Sequence, residues 1–201
     1  MKNSITMRKL CRLALVVCLL AANVTAADLL PAKAAEINVG DRAPAFKLKD
    51  QNDREVSLAE MVKQGPVAVV FVRSIDWCSY CQLQTVQLSD NLSEIQAGGG
   101  QVVVVCYDAP EKVKRFTQRR KIKVPVLSDT DSKTIEAYAM RAVTGVGDQT
   151  GSAQHGTFVV DQSGVIHSKP YLKSFEGRGA VDALINALKD AGHQKEASQK
   201  D

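Results

Sequence analysis

The segment from Pro66 to Cys81 reads PVAVVFVRSIDWCSYC. Its first part, through Val72, is an almost continuous apolar run rich in β-branched residues, which is typical of a strand buried on both faces. Its last part carries two cysteines with two residues between them, Cys78 and Cys81, where a helical pattern begins. A buried strand that leads into such a helix indicates an α/β domain with its chemistry at the carboxyl end of that strand.

Apolar patterning on either side of this segment predicts further strands and helices. Before it, alternation around a polar turn predicts a β-hairpin across residues 39–58, and Ser57 can cap a short helix through Met61. After it, the predicted elements are a helix from Cys78 to Ile95, a strand at 101–106, a basic helix from Pro110, a strand at 124–127, a helix from Asp131 to Met140, a loop from Thr144 to Gly156, a hairpin at 157–167 and a helix at 179–191. We therefore expect an α/β fold, a mixed central sheet flanked by helices with an N-terminal β-hairpin extension.

Length and composition are those of one folded domain. The chain has 201 residues, of which 45% are hydrophobic and 24% charged, and this balance excludes disordered, collagen-like and coiled-coil classes. The net charge of +4 comes from the first 26 residues, which hold four bases and no acid. The remainder carries equal numbers of bases and acids, 22 of each, so no nucleic-acid partner is expected.

The first 26 residues have the features of a secretory signal peptide. Basic residues precede an apolar run from Leu13 to Val24, and small residues permit cleavage after Ala26, with a second possible site at Ala34. We expect an exported protein, periplasmic or secreted, without stable membrane insertion after cleavage; an uncleaved N-terminal anchor is the alternative. The predicted organisation is a signal peptide (1–26), a linker (27–37), one domain (38–192) and a polar tail (193–201).

The cysteines indicate where the chemistry lies. Cys11 and Cys18 belong to the signal, which leaves Cys78, Cys81 and Cys106. Two cysteines three apart at a helix start lie on one face, and the helix N-terminus stabilises a thiolate there. A structural disulfide or half of a zinc site are the alternatives, although zinc would need a second ligand pair. The position of the pair, where a buried strand leads into a helix of an exported α/β domain, favours redox chemistry over these two alternatives.

Several motifs in order along the chain carry a family resemblance. They are the opening segment 39–48, the strand and cysteine pair at 69–81, the segment 124–129, the helix near Tyr138 and the segment 158–164. From about Val39 to Ala191 the chain resembles the AhpC/TSA (peroxiredoxin-like, redoxin) branch of the thioredoxin superfamily. The resemblance implies a thioredoxin-like fold and a thiol-based oxidoreductase that uses no cofactor.

The chain departs from that family around the cysteine pair. Peroxiredoxins carry P-x-x-x-T-x-x-C around the peroxidatic cysteine. Matching that cysteine to Cys81 puts Cys78 at the threonine and Ser74 at the proline, and the family's active-site arginine falls at His155. The cis-proline and the buried acid of thioredoxins are also missing, with Val72 at the position of the acid.

These departures lead to three hypotheses for the site. The first, which the missing family residues lead us to prefer, is dithiol–disulfide exchange with a protein partner, in which Cys78 attacks and Cys81 resolves the mixed disulfide. The second is a thiol-dependent peroxidase that reduces hydroperoxides and is regenerated by an external thiol, with Cys81 as a candidate for the attacked sulfur. The third is a copper-binding chaperone with Cys78, Cys81 and His155 as ligands. We expect no resident metal under the first two.

Five further residues are candidates for supporting roles. Trp77 can shield the pair, Asp76 can shuttle a proton or cap the helix, and Arg73 can steady a thiolate or offset Asp76. His155 can orient a thiolate or be an ordinary loop histidine. Cys106 can relay a disulfide, or it can be a small buried residue in its strand. The basic residues of the predicted helix from Pro110 are interpreted as a solvated face.

Overall fold

The structure is a computed structural model that describes residues 36–142, 150–170 and 178–198. The predicted signal peptide, most of the predicted linker and the first part of the predicted loop from Thr144 to Gly156 lie outside the described residues. The predicted domain boundaries therefore stay predictions.

The described residues form a seven-stranded mixed sheet in the order β2-β1-β5-β4-β3-β6-β7. Its strands are β1 (Lys47–Lys49), β2 (Glu55–Ser57), β3 (Val67–Phe71), β4 (Gln101–Cys106), β5 (Val126–Ser128), β6 (Gly156–Val160) and β7 (Ile166–Ser168). Strands β3, β4 and β5 are parallel, whereas β6 pairs antiparallel with β3 and each outer pair is an antiparallel hairpin. The predicted mixed sheet with an N-terminal hairpin is confirmed.

Helices cover the sheet within the described residues. They are α1 (Leu58–Met61), α2 (Ser79–Asp90), α3 (Leu92–Ala97), α4 (Pro110–Arg120), α5 (Lys133–Ala137) and α6 (Arg178–Ser198). The Ser57 hydroxyl accepts a hydrogen bond from the Glu60 N–H at 3.3 Å, which confirms the predicted cap of α1. Helix α6 continues through the first residues of the predicted polar tail.

The central strand β3 is buried on both faces because its alternate side chains enter two different cores. Val67, Val69 and Phe71 pack with residues of α1, α5 and the N-terminal hairpin region. Ala68 and Val70 pack with residues of α2, α4 and α6. Burying one such valine contributes about 1.5–3 kcal/mol, so this strand anchors both layers.

The helix predicted from Cys78 to Ile95 is two helices. The break falls at Asn91, where the backbone has φ −101° and ψ 10°. The Asn91 side chain donates to the carbonyl of Gln87 at 2.8 Å, and this local bond competes with continuation of the helix. Ile95 is buried as the spacing predicts.

The helix that the sequence predicts from Asp131 to Met140 is the shorter α5, and Asp131 is not its main cap. The carboxylate that receives the N–H groups of residues 134–135, at 3.2 and 2.8 Å, belongs to buried Asp129 rather than to Asp131. Asp131 is instead paired with Lys133. The helix ends before the predicted Met140 because Ala139 adopts a left-handed conformation with φ 53°.

The sheet brings three separate parts of the chain to one edge. Parallel pairing aligns the carboxyl ends of β3 and β4, and antiparallel pairing sets Gly156, the first residue of β6, opposite Phe71. The loop at 72–78, the segment after β4 and His155 therefore converge at this edge. Within the described residues, no helix combines the length and the apolar character needed to cross a membrane.

Candidate active site

The cysteine pair lies where the loop after β3 enters α2. Cys78 is the N-cap residue, with extended backbone, and its sulfur accepts a hydrogen bond from the Cys81 N–H at 3.4 Å. The two cysteines form a disulfide, with their Cα atoms 5.3 Å apart. Cys78 is 7% exposed and Cys81 is fully buried, so the two sulfurs are not equivalent toward solvent.

A buried serine and a buried aspartate shape the loop that carries the pair. The Ser74 hydroxyl donates to Asp108 Oδ1 at 2.7 Å and accepts from the N–H groups of Asp76 and Trp77 at 3.0 and 3.2 Å. Asp108 Oδ2 accepts the Ile75 N–H at 2.8 Å. Because all these bonds converge on two buried side chains, the loop has a defined path into α2.

Sequence reasoning did not find Asp108, and it considered Ser74 only as a departure from the family motif. The available signal was the position of each residue. Ser74 follows β3 and Asp108 follows β4, and the carboxyl ends of neighbouring parallel strands meet at one edge. Polar residues just after such strands are candidates for shared hydrogen bonds.

His155 contacts the buried cysteine. Its Nε2 atom lies 3.1 Å from the Cys81 sulfur. Burial and, to a smaller extent, the positive charge of Arg73 lower the pKa of His155, so its imidazole is neutral near pH 7. The histidine directly precedes β6. The first residue of that strand is Gly156, where a larger side chain would collide with the methyl group of Met140. The structure thus brings His155 to the pair.

Trp77 and Arg73 form one side of the same edge. The Arg73 guanidinium lies over the Trp77 ring, 4.9 Å from its centre, and the Trp77 indole N–H donates to the Tyr107 hydroxyl at 2.9 Å. Trp77 also packs against the apolar core that contains both cysteines. The indole is therefore held directly beside the pair, and Arg73 supplies positive charge close to His155.

Asp76 is directed toward α4. Its carboxylate binds Lys112 at 2.8 Å and Arg115 at 3.0 Å. Bonding to Lys112, together with the charge of both bases, lowers the pKa of Asp76. Two of the basic residues interpreted as a solvated face are thus tied to the active-site loop, and the helix cap that Asp76 was a candidate for is formed by Cys78.

Cys106 is fully buried at the end of β4. Its thiol donates to the Leu127 carbonyl at 3.6 Å. Burial, and then the negative charge of Asp108, raises the pKa of Cys106 well above the usual value. Because the thiolate is the form that exchanges disulfides, this environment disfavours a relay and fits the alternative of a small buried residue.

Comparisons with known proteins agree with this geometry. Residues 39–169 match the AhpC/TSA family. The chain belongs to the AhpC/TSA family. It is 28% identical over 155 residues to peroxiredoxin Bcp of Escherichia coli K12, covering 77% of this chain and 97% of that protein. It is 31% identical over 135 residues to a putative peroxiredoxin of Mycobacterium tuberculosis H37Rv, covering 67% and 85%.

Solved structures of the family share the fold. Peroxidoxin BcpB of Mycobacterium tuberculosis superposes with a TM-score of 0.68 at 20% identity, covering 77% of this chain and 98% of that one. A peroxiredoxin-like protein of Aquifex aeolicus superposes with a TM-score of 0.66 at 25% identity, covering 79% and 90%. This AhpC/TSA protein has the thioredoxin-like fold and is a thiol-based oxidoreductase, as the sequence resemblance implied.

Proposed function

We propose that this protein is a thiol-dependent peroxidase that reduces hydroperoxides and is regenerated by an external thiol. The observation that carries the proposal is the environment of the Cys81 sulfur, which is bonded to Cys78 and lies 3.1 Å from His155 Nε2. Cys81 also matches the position of the peroxidatic cysteine in the family motif. The relatives support peroxide rather than disulfide as the electron acceptor, since they are peroxiredoxins.

The oxidative half of the cycle uses both cysteines. The Cys81 thiol gives up its proton and its thiolate attacks the terminal oxygen of the hydroperoxide, so that an S–O bond forms and the O–O bond breaks; the leaving oxygen takes up a proton and departs as the alcohol, or as water from hydrogen peroxide. The Cys78 thiol then attacks the Cys81 sulfenic acid, which forms the disulfide and releases water. The resolving sulfur is three residues away on the same helix start, so closure requires no distant cysteine.

The reductive half begins at the more exposed sulfur. A thiol of the reductant attacks Cys78, which is 7% exposed, and Cys81 leaves as a thiolate beside His155. A second thiol of the reductant attacks the mixed disulfide and restores the dithiol. Two external thiols thereby supply the two electrons that reduce one hydroperoxide. The sequence predicts that Cys78 attacks the protein partner. In the proposed cycle Cys78 still reacts with the partner, but it is the sulfur that the reductant attacks.

The same comparisons support a proposal for the substrate class. A bacterioferritin comigratory protein of Xanthomonas campestris, with a TM-score of 0.62 and 18% identity, is described by its alkyl peroxide reduction activity. We extend the proposal to alkyl hydroperoxides as well as hydrogen peroxide.

Cysteine variants test the assignment of the two sulfurs. In reduced Cys78→Ser, hydrogen peroxide should leave a sulfenic acid on Cys81 that dimedone traps and peptide mass spectrometry locates. In Cys81→Ser, no rapid adduct should form on Cys78, and Cys106→Ala should behave as the native chain. A rapid adduct on Cys78 in Cys81→Ser, with none on Cys81 in the reciprocal variant, would reverse the assignment.

Dithiol–disulfide exchange is a second candidate because Cys78 is the helix N-cap and accepts the Cys81 N–H. Reduction of an unfolded disulfide protein by the reduced chain measures it. If that exchange is fast while oxidation by peroxides proceeds at the rate of an ordinary thiol, exchange is the function and the peroxidase proposal fails.

We also propose export, with cleavage after Ala26 and Ala34 as the second site. The support is the sequence of the first 26 residues, with its basic start and apolar run. Intact mass of the protein from a periplasmic or secreted fraction tests this. A mass that retains the first residues would contradict cleavage.

A further inference from the structure

Three soft or borderline metal-binding atoms converge at the cysteine pair. The two sulfurs of Cys78 and Cys81 and a ring nitrogen of His155 all lie within 4.8 Å of one another. In the described part of the chain, no fourth histidine, cysteine, aspartate or glutamate joins this group. The arrangement is therefore a compact set of two sulfurs and one nitrogen.

The fold fixes the backbone of the three residues that carry these atoms, and reduction of the disulfide frees both sulfurs for an ion. Both cysteines belong to the first turn of α2, and the loop before them is fixed by the Ser74–Asp108 hydrogen bond of 2.7 Å. His155 directly precedes β6, whose pairing with β3 fixes its position. Because the ligands come from rigid elements, little ordering is needed on binding.

Ligand type and number favour Cu(I). Thiolates are soft ligands that suit both Cu(I) and zinc, but structural zinc takes four protein ligands and this site offers three. Cys81 is fully buried and Cys78 is 7% exposed, which suits an ion that needs no water ligand. Two thiolates and Cu(I) leave one net negative charge, and Arg73 supplies a positive charge close to His155.

We propose that the reduced protein binds one Cu(I) ion through Cys78 Sγ, Cys81 Sγ and His155 Nε2. Binding displaces one proton from each thiol and leaves the oxidation state of the ion unchanged. The disulfide form lacks the thiolates and does not hold the ion. This inference concerns the dithiol form alone and does not depend on peroxide being the substrate.

Anaerobic titration tests the proposal. The fully reduced chain should remove one equivalent of Cu(I) from the chromogenic chelator bicinchoninate, also with excess Zn²⁺ present, and the oxidised chain should remove none. X-ray absorption of the loaded protein should show two sulfur ligands and one nitrogen ligand. His155→Ala should weaken Cu(I) affinity by at least about tenfold, as Cys78→Ser should, while His167→Ala should match the native chain.

Several results would overturn the site. They are no stoichiometric Cu(I) binding by the reduced chain, equal binding by the oxidised chain, displacement by Zn²⁺, or equal affinity in His155→Ala and the native protein. Circular dichroism checks the fold of each variant, and the absorption experiment on the native chain stands if His155→Ala does not fold. The peroxide reactivity of metal-free protein is measured separately, so failure of the peroxidase proposal would be seen independently of copper binding.

Discussion

The buried Ser74 hydroxyl donates a 2.7 Å hydrogen bond to the buried Asp108 carboxylate, joining the segments that follow two parallel strands. When Cys81 is matched to the peroxidatic cysteine, Ser74 takes the position of the proline in the family motif. A proline restricts the backbone of a loop because its ring fixes φ. This serine instead fixes the loop by hydrogen bonds to Asp108 and to the N–H groups of Asp76 and Trp77. The path of the chain into the active-site helix is thus set by side-chain hydrogen bonds.

Ser74→Ala should therefore destabilise the protein. The substitution leaves Asp108 Oδ1 and two backbone N–H groups without this partner, and the expected loss of unfolding free energy is about 1–3 kcal/mol. Urea denaturation of the reduced and oxidised forms measures it. Ser163→Ala is the matched control, since Ser163 is exposed and should change stability by less than about 0.5 kcal/mol. Equal stability of the two variants would show that the buried bonds do not hold the loop.

Replacing His155 should slow oxidation of Cys81. His155→Ala removes the nitrogen that lies 3.1 Å from the sulfur, and the rate constant with hydrogen peroxide should fall by about tenfold to a hundredfold. The reaction is followed through the emission of Trp77, the single tryptophan of the chain. His167→Ala should keep the native rate. An unchanged rate constant in His155→Ala would show that the imidazole takes no part in the oxidation of Cys81.

Cys106 should not take part in turnover. Because Cys106 is fully buried and its pKa is raised, native reduced protein should react with a maleimide at Cys78, the more exposed sulfur, well before it reacts at Cys106. Denatured protein should be labelled at Cys78, Cys81 and Cys106. Cys106→Ala should retain peroxide consumption. Loss of turnover in that variant, with its fold intact, would revive the relay hypothesis.

The ion pairs of Asp76 should contribute little to stability. Lys112 and Arg115 lie on its carboxylate at 2.8 and 3.0 Å, but their side chains are 42% and 65% exposed. Asp76→Asn should therefore cost less than about 1 kcal/mol, and the difference should largely disappear in roughly 1 M salt. Chemical denaturation with urea at low and high salt measures it. A larger loss of unfolding free energy that persists in salt would mean that Asp76 stabilises the active-site loop by contacts other than its ion pairs.

Local patterns predicted most of the fold, since they depend on neighbouring residues. Strand β4 is observed at the predicted residues 101–106, because a short run of valines is typical of a strand buried on both faces. The helix break at Asn91 and the cap by Asp129 were missed because a polar side chain can choose between several nearby backbone groups. Such choices depend on packing that the sequence pattern does not contain.

Short-range spacing predicted the cysteine pair of the site, and the family resemblance marked His155 as a candidate to act with it. The disulfide of Cys78 and Cys81 follows from two cysteines on one helical turn. The bond between Ser74 and Asp108 depends on strand pairing between distant segments, and so does the contact of His155 with Cys81. The preference for disulfide exchange came from the missing family residues, which indicated loss of peroxidase chemistry without showing what replaces them.

The rate at which Cys81 reacts with hydrogen peroxide distinguishes a peroxidase from an ordinary dithiol protein. The reduced protein is mixed with hydrogen peroxide in a stopped-flow instrument, and Trp77 emission gives the second-order rate constant. We predict a rate constant at least about a hundredfold above that of a low-molecular-weight thiol, because a positioned thiolate with a neighbouring imidazole lowers the barrier. A rate constant equal to that of the free thiol would contradict a peroxidase.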